Sequence, residues 1–168
     1  MRLVILGAGG YGQTVADVAS QSDRYDEIIF LDDNAPNAVG KCEEYIQYID
    51  ANTEIYPAFG NNEARLNWVN RLIEAGAVVP TFVHPTAYIS PTVTMECGNV
   101  VLPKAVVNTS CHLGKGCIIN CGALIDHGCV IEDGVHVCLG AIVKGDNRIK
   151  QCTKIEAGEV IQARIYPV

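Results

Sequence analysis

Apolar residues follow two rhythms along this chain, and the rhythm changes near residue 84. In the first stretch, short apolar runs alternate with amphipathic segments. "RLVILG" reads as a buried strand, and "GAGGYG" turns it into a helix whose inner face carries Val15, Val18 and Ala19. "EIIFLDD" is a second strand ending in two acids, and "EIYPAFG" is a third. "NNEARLNWVNRLIEAG" has an asparagine cap, Leu66, Val69, Leu72 and Ile73 on one face, and Gly76 as its stop. "AVVPTFV" is expected to form a last strand, pushed to the sheet edge by Pro80. Strands alternating with helices predict a parallel sheet covered by helices.

From His84-Pro85 onward every sixth residue is aliphatic or methionine: Ile89, Met95, Val101, Val107, Leu113, Ile119, Ile125, Ile131, Val137, Val143, Ile149, Ile155 and Ile161. Two residues before each of these the side chain is mostly small or a thiol, as at Ala105, Cys111, Cys117, Ala123, Cys129 and Ala141. Asn99, Asn147 and Glu159 are the exceptions. A strict period of six predicts a parallel β-helix of hexapeptides, with one inward aliphatic residue per face stacked on its equivalents in neighbouring coils. The narrow core leaves room only for small partners, which is where cysteine serves as a small hydrophobe. The expected organisation is a Rossmann-like β/α domain over 1–84 and a β-helix over 85–168.

Composition narrows the function classes. The chain has 168 residues, 49% of them apolar and 18% charged, as expected of a folded chain of one full-sized or two small domains. A net charge of −7 argues against a nucleic-acid surface. Any anionic ligand must then be held locally, by backbone N–H groups or a few cations. The apolar run of "MRLVILGAGG" breaks too early for a signal peptide and no segment approaches a membrane span, so a cytoplasmic protein is expected. Its eight cysteines are then expected to be mostly reduced. "NCGALIDHGC" at 120–129 looks like a metal site, yet Cys129 falls on the small inward position and no C-x-x-C pair exists. The thiols are therefore expected to fill the core and to bind no metal.

The order "LVILGAGGYGQTVADVA", "FLDD", "FGNNEAR", "VHPTAYISPTV", "IINCGALIDHGCVIEDGVHVCLGAIVKG" resembles the bacterial sugar acetyltransferases that include sialic acid O-acetyltransferases and UDP-amino-sugar N-acetyltransferases. The resemblance implies a left-handed β-helix that assembles as a homotrimer. It also implies an N-terminal domain that holds a UDP-sugar or a sialic-acid-type substrate, and acetyl-CoA in a groove between neighbouring β-helices. Such relatives usually continue for several more coils. Here the period runs through Ile149, Ile155 and Ile161 while the small positions turn polar, giving about four coils.

The resemblance makes His127 the catalytic base, taking a proton from an amine or hydroxyl as it attacks the thioester; a neutral imidazole suits that work. In the family an acid often follows this histidine directly, whereas here Gly128 follows and Asp126 precedes it. Asp126 is the candidate orienting acid. His136 and Asn120 match two further catalytic-site positions. His136 lies nine residues after His127, half of an eighteen-residue coil, so the two are expected to meet only across a subunit boundary.

In the first domain Gly7, Gly9 and Gly12 fit G-x-G-x-x-G, which brings backbone close to a phosphate at a helix N-terminus. Asp32 also lies where an NAD ribose would be bound, but the sheet is too short for two mononucleotide halves, so a single nucleotide fits better. By resemblance, Gly9, Gly10, Tyr11, Asp32, Asp33 and Asn61 surround the nucleotide-sugar. The leading expectation is an acetyl-CoA-dependent acetyltransferase acting on an amino group or hydroxyl of a sugar. The alternatives are a non-catalytic nucleotide-sugar-binding trimer, and a zinc-dependent β-helix using His112 and His136.

Overall fold

The computed structural model describes residues 1–163; residues 164–168, the end of the expected β-helix domain, lie outside the described residues. The chain divides into two units, the first spanning Met1–Phe82 and the second beginning at Val83.

The first unit is a small parallel sheet with strands β1 (Arg2–Leu6), β2 (Glu27–Leu31) and β3 (Thr53–Pro57), in the order β2-β1-β3. Central β1 is buried from Leu3 to Leu6, which is why it is written as an uninterrupted apolar run. Helix α1 (Gly10–Ser20) follows β1 and buries Val15, Val18 and Ala19, the face expected from its spacing. Helix α2 (Asn62–Glu74) follows β3; the Asn61 side chain caps it by accepting from the Ala64 N–H at 2.9 Å. Gly76, just past its end, has φ +81, the left-handed stop that glycine provides. The buried face of α2 differs from expectation at two positions. Ile73 is 41% exposed, while Arg65 is fully buried, its guanidinium donating to Phe59 O (3.0 Å) and Asn62 Oδ1 (2.9 Å). A short 3-10 helix, Cys42–Tyr48, lies between β2 and β3.

The expected strand "AVVPTFV" does not form as one piece. Val78 makes a single parallel bridge to Glu54, and strand pairing resumes only at Phe82–Val83, in a different sheet. Pro80 has no N–H to continue a ladder, so the run cannot extend along β3.

In the second unit, two-residue strands recur every six residues and stack into three sheets of five, five and four strands. Each pairs in parallel with the strand eighteen residues away, as Ile118 does with Val100 and His136. From Ile89 onward the second residue of each strand points inward: Val107, Leu113, Ile119, Ile125, Ile131, Val137 and Val143 are all fully buried, together with Ala105, Cys117, Ala123 and Cys129. Two of the polar exceptions repair backbone. Buried Asn99 accepts from the Cys117 N–H (2.7 Å) and donates to Glu96 O (2.8 Å), and Asn147 donates to Lys144 O and Gln162 O. The turn residue three after each inward aliphatic has positive φ from Gly98 to Gly158, including Lys104, Ser110, Asp146 and Cys152. The fold class is the one expected: a Rossmann-like β/α unit followed by a left-handed parallel β-helix of hexapeptides.

Candidate active site

His127 sits at a corner of the β-helix, two residues after the strand Leu124–Ile125, whose first residue points outward and second inward, with its side chain 53% exposed. Three neighbours flank the imidazole. Asp126 Oδ2 lies 3.8 Å from Nε2, and Asp146 Oδ1 lies 3.8 Å from Nδ1. Gly145, eighteen residues on, lies under the ring; a Cβ there would stand 2.7 Å from Cε1 and 2.8 Å from Nε2. Asp126 is itself anchored: its Oδ1 accepts from the His127 N–H (2.8 Å) and from Asn108 Nδ2 (3.3 Å). Beside this corner a hollow of about 270 Å³ is lined by Val106, Leu124, Ile142, Asn108, Asp126 and Lys144.

His136 lies on another sheet, in the strand His136–Val137, and its Nε2 accepts from Asn120 Nδ2 at 3.0 Å. The Asn120 oxygen is occupied by the Cys121 N–H. One chain therefore brings Asn120 to His136, and Asp126 and Asp146 to His127; His136 lies in a strand, whereas His127 lies in the turn between the strands Leu124–Ile125 and Val130–Ile131. His112 lies on the third sheet, against Thr94 and Glu96. Among the described residues no group of three or more His, Cys, Asp or Glu side chains could hold a metal ion. The inward thiols instead point at backbone carbonyls, Cys111 at Asp126 O (3.0 Å) and Cys129 at Lys144 O (3.3 Å).

The candidate substrate-binding residues gather at the carboxyl ends of β1, β2 and β3, where open α/β sheets bind ligands. The glycines divide by task. Gly7 has φ +100, and a Cβ on Gly12 would collide with the Gly7 carbonyl, so both serve the tight strand-to-helix turn. Gly9 and Gly10 have nothing within 4 Å of where a Cβ would be, and no side chain caps α1. The start of α1 is therefore uncapped by side chains and has open space beside these two glycines. Asp32 binds the loops together: Oδ2 accepts from the Ala8 N–H (2.8 Å), Oδ1 from Asn34 (2.8 Å) and Ala35 (2.9 Å). Those backbone donors hold its carboxyl below the ordinary range, Ala8 most strongly. Asp33 accepts from the Cys42 N–H, and Tyr11 shares a hydrogen bond with Tyr56 at 2.7 Å. A larger hollow of about 520 Å³, lined by Arg2, Asp26, Glu27 and Asp50, lies at the amino ends of the strands and contains none of these residues.

Residues 2–72 match the family model described as the PglD N-terminal domain. The acetyltransferase domain of PglB from Neisseria gonorrhoeae, solved with acetyl coenzyme A, superimposes with a TM-score of 0.90 at 32% identity. That match covers 95% of this chain and 80% of the other. The chain belongs to the bacterial sugar acetyltransferase family. PerB from Caulobacter crescentus, solved with CoA and GDP-perosamine, shares the fold at 21% identity and a TM-score of 0.78, covering 96% of this chain and 89% of that one. WeeI from Acinetobacter baumannii shares it at 19% identity and 0.66, covering 95% and 88%.

For this acetyltransferase-family chain, the sequence alone leaves out three residues around His127: Asp146, Gly145 and Asn108. Each is one coil from a residue already singled out, 146 above Gly128, 145 above His127 and 108 below Asp126. The eighteen-residue register was the signal that could have found them. Arg65, which ties down the loop carrying Asn61, could have been found from its place on the buried face of α2 with Leu66, Val69 and Leu72.

Proposed function

We propose that this protein transfers the acetyl group of acetyl-CoA to an amino group or hydroxyl of a nucleotide-linked sugar. The observation that carries the reading is the fit of 95% of the chain to an acetyltransferase domain solved with acetyl coenzyme A. The site's chemistry agrees with it. His127, exposed at a corner and flanked by carboxylates, is placed to accept a proton from the nucleophile. As the nitrogen or oxygen bonds to the thioester carbonyl carbon, its proton passes to the imidazole and a backbone N–H steadies the oxyanion. Collapse breaks the C–S bond, and the proton leaves with the CoA thiolate. The N-terminus of α1, with open space beside Gly9 and Gly10, suits the nucleotide phosphates in an acidic protein with few cations to hold them.

The assembly is a homotrimer in this reading. One sheet of the β-helix turns Tyr88, Val106, Leu124, Ile142 and Val160 outward, an apolar stripe next to Asp126 and His127. A neighbouring chain on that stripe brings its own His136 and Asn120 to His127, so each site belongs to two subunits.

The deciding experiment is calorimetry with acetyl-CoA, paired with turnover on a panel of nucleotide amino- and hydroxy-sugars, for wild type and His127→Ala. Binding should survive the substitution while turnover falls by about 10²–10⁴-fold. A wild-type protein that binds no acetyl-CoA would leave the non-catalytic sugar-binding reading in its place.

A further inference from the structure

The histidine corner contains an acid supplied by the next coil and a vacancy cut to receive it. Asp146 stands in the turn eighteen residues after Gly128, and its Oδ1 lies 3.8 Å from His127 Nδ1. A Cβ on Gly128 would run into that same oxygen, so the carboxylate fills the space a side chain at 128 would take. The left-handed backbone alone does not require glycine there. Lys104, Ser110, Asp146 and Cys152 hold the equivalent turn with φ between 55 and 62. What distinguishes Gly128 is the carboxylate above it.

Two acids flank the ring, and they are not equivalent. Asp126 is committed through Oδ1 to the His127 N–H and to Asn108. The Asp146 carboxylate, 43% exposed, has no side-chain partner except His127 among the described residues. Its backbone is fixed by a 2.9 Å bond from its N–H to His127 O, so the acid is tethered to the residue it faces. Gly145, next to it in sequence, supplies the floor on which the ring lies.

We propose that Asp146 is a positioning residue that holds His127 in the Nδ1–H form, so that Nε2, which faces Asp126 Oδ2 at 3.8 Å, is the base, and that Gly128 is glycine to give the Asp146 carboxylate room. The proposal rests on His127 being the base, and deepens that reading by naming what orients it. An acceptor on one ring nitrogen fixes the tautomer, and distances of this size close up to hydrogen bonds when a substrate is bound.

The test is Asp146→Asn, which keeps the shape and suits a left-handed turn, since asparagine tolerates that conformation. Ring nitrogen shifts of His127, read by long-range ¹⁵N–¹H correlation in labelled protein, should move away from the Nδ1–H form. With acetyl-CoA and the best acceptor found above, kcat should fall on the order of tenfold with KM for acetyl-CoA within about twofold. The exchange Gly128→Asp with Asp146→Gly puts the acid into the same space from the other side and a glycine into the left-handed turn. It should return the Nδ1–H signal and most of the rate. An unchanged tautomer in Asp146→Asn overturns the proposal, as does a tautomer that follows Asp126→Asn instead. The nitrogen spectra need no substrate, so they read the role of Asp146 even if wild type transfers no acetyl group; that failure would sink the functional reading separately.

Discussion

His127 shows how much of a site can depend on what its neighbours lack. The imidazole is held from below by the backbone of Gly145, and three of its atoms lie within 3.2 Å of where a methyl would be. Gly145→Ala must therefore swing the ring off its floor. Gly145 is not among the residues with positive φ, so alanine fits the backbone and the fold should persist. We expect turnover to fall about 10²-fold, the usual consequence of misplacing a reacting group by roughly an ångström. Thermal unfolding should show stability within about 1 kcal/mol of wild type. A variant with full turnover would show that the ring does not work from this position. At this scale the sequence was legible in part. His127, His136 and Asn120 stand out because a motif names them, and Cys111, Cys117 and Cys129 because a six-residue clock places them inward. Asp146 and Gly145 do not stand out, because they meet the histidine through coil stacking and carry no local pattern around it.

At the scale of elements, the glycine turn after β1 makes a sharper statement than its motif. G-x-G-x-x-G treats three glycines alike, whereas the structure separates those that build the turn from those that leave it open. A methyl on Gly12 meets the carbonyl of Gly7, a backbone atom with no rotamer to change. Gly12→Ala should cost about 1–3 kcal/mol or more by overpacking, seen as a lower urea midpoint. Gly9→Ala should leave that midpoint within about 0.5 kcal/mol, because its methyl points into open space. Equal effects of the two substitutions would contradict this division. The β-helix was the most legible element, since one inward aliphatic per face is forced by geometry and cannot drift without losing the core. "AVVPTFV" was the least legible. Its apolar run is shared between a single bridge to β3 and the first strand of another sheet, and apolar character alone does not say which partner a residue pairs with. The positive-φ turns were also written in the chain, in the six-residue recurrence of Gly116, Gly122, Gly128, Gly134 and Gly140.

For the whole molecule, the question is what covers the apolar stripe. Tyr88 is 55% exposed, Leu124 40% and Val160 41%, all on one face, while the face carrying Thr94, His112, Val130 and Arg148 is mostly polar. A contiguous apolar face on an acidic protein of this size calls for a partner, and in the proposed trimer threefold closure by identical chains covers every copy of the stripe. The proposed assembly also accounts for the two histidines: His127 stands in a turn and His136 on a strand nine residues on, and in this reading a neighbour's His136 meets the corner. The consequence is complementation. His127→Ala and His136→Ala proteins should each be inactive alone. Co-expressed in equal amounts, they form mixed trimers, in each of which about one interface in three pairs an intact His127 with an intact His136. About that fraction of wild-type turnover should return, measured on trimers carrying both subunits as confirmed by differential tags. Introducing Leu124→Arg into both chains sets like charges in the stripe; sedimentation should then show monomers, and the recovery should vanish while the β-helix stays folded by circular dichroism. Mixed trimers that recover nothing would mean that the two histidines do not share a site, whatever holds the subunits together.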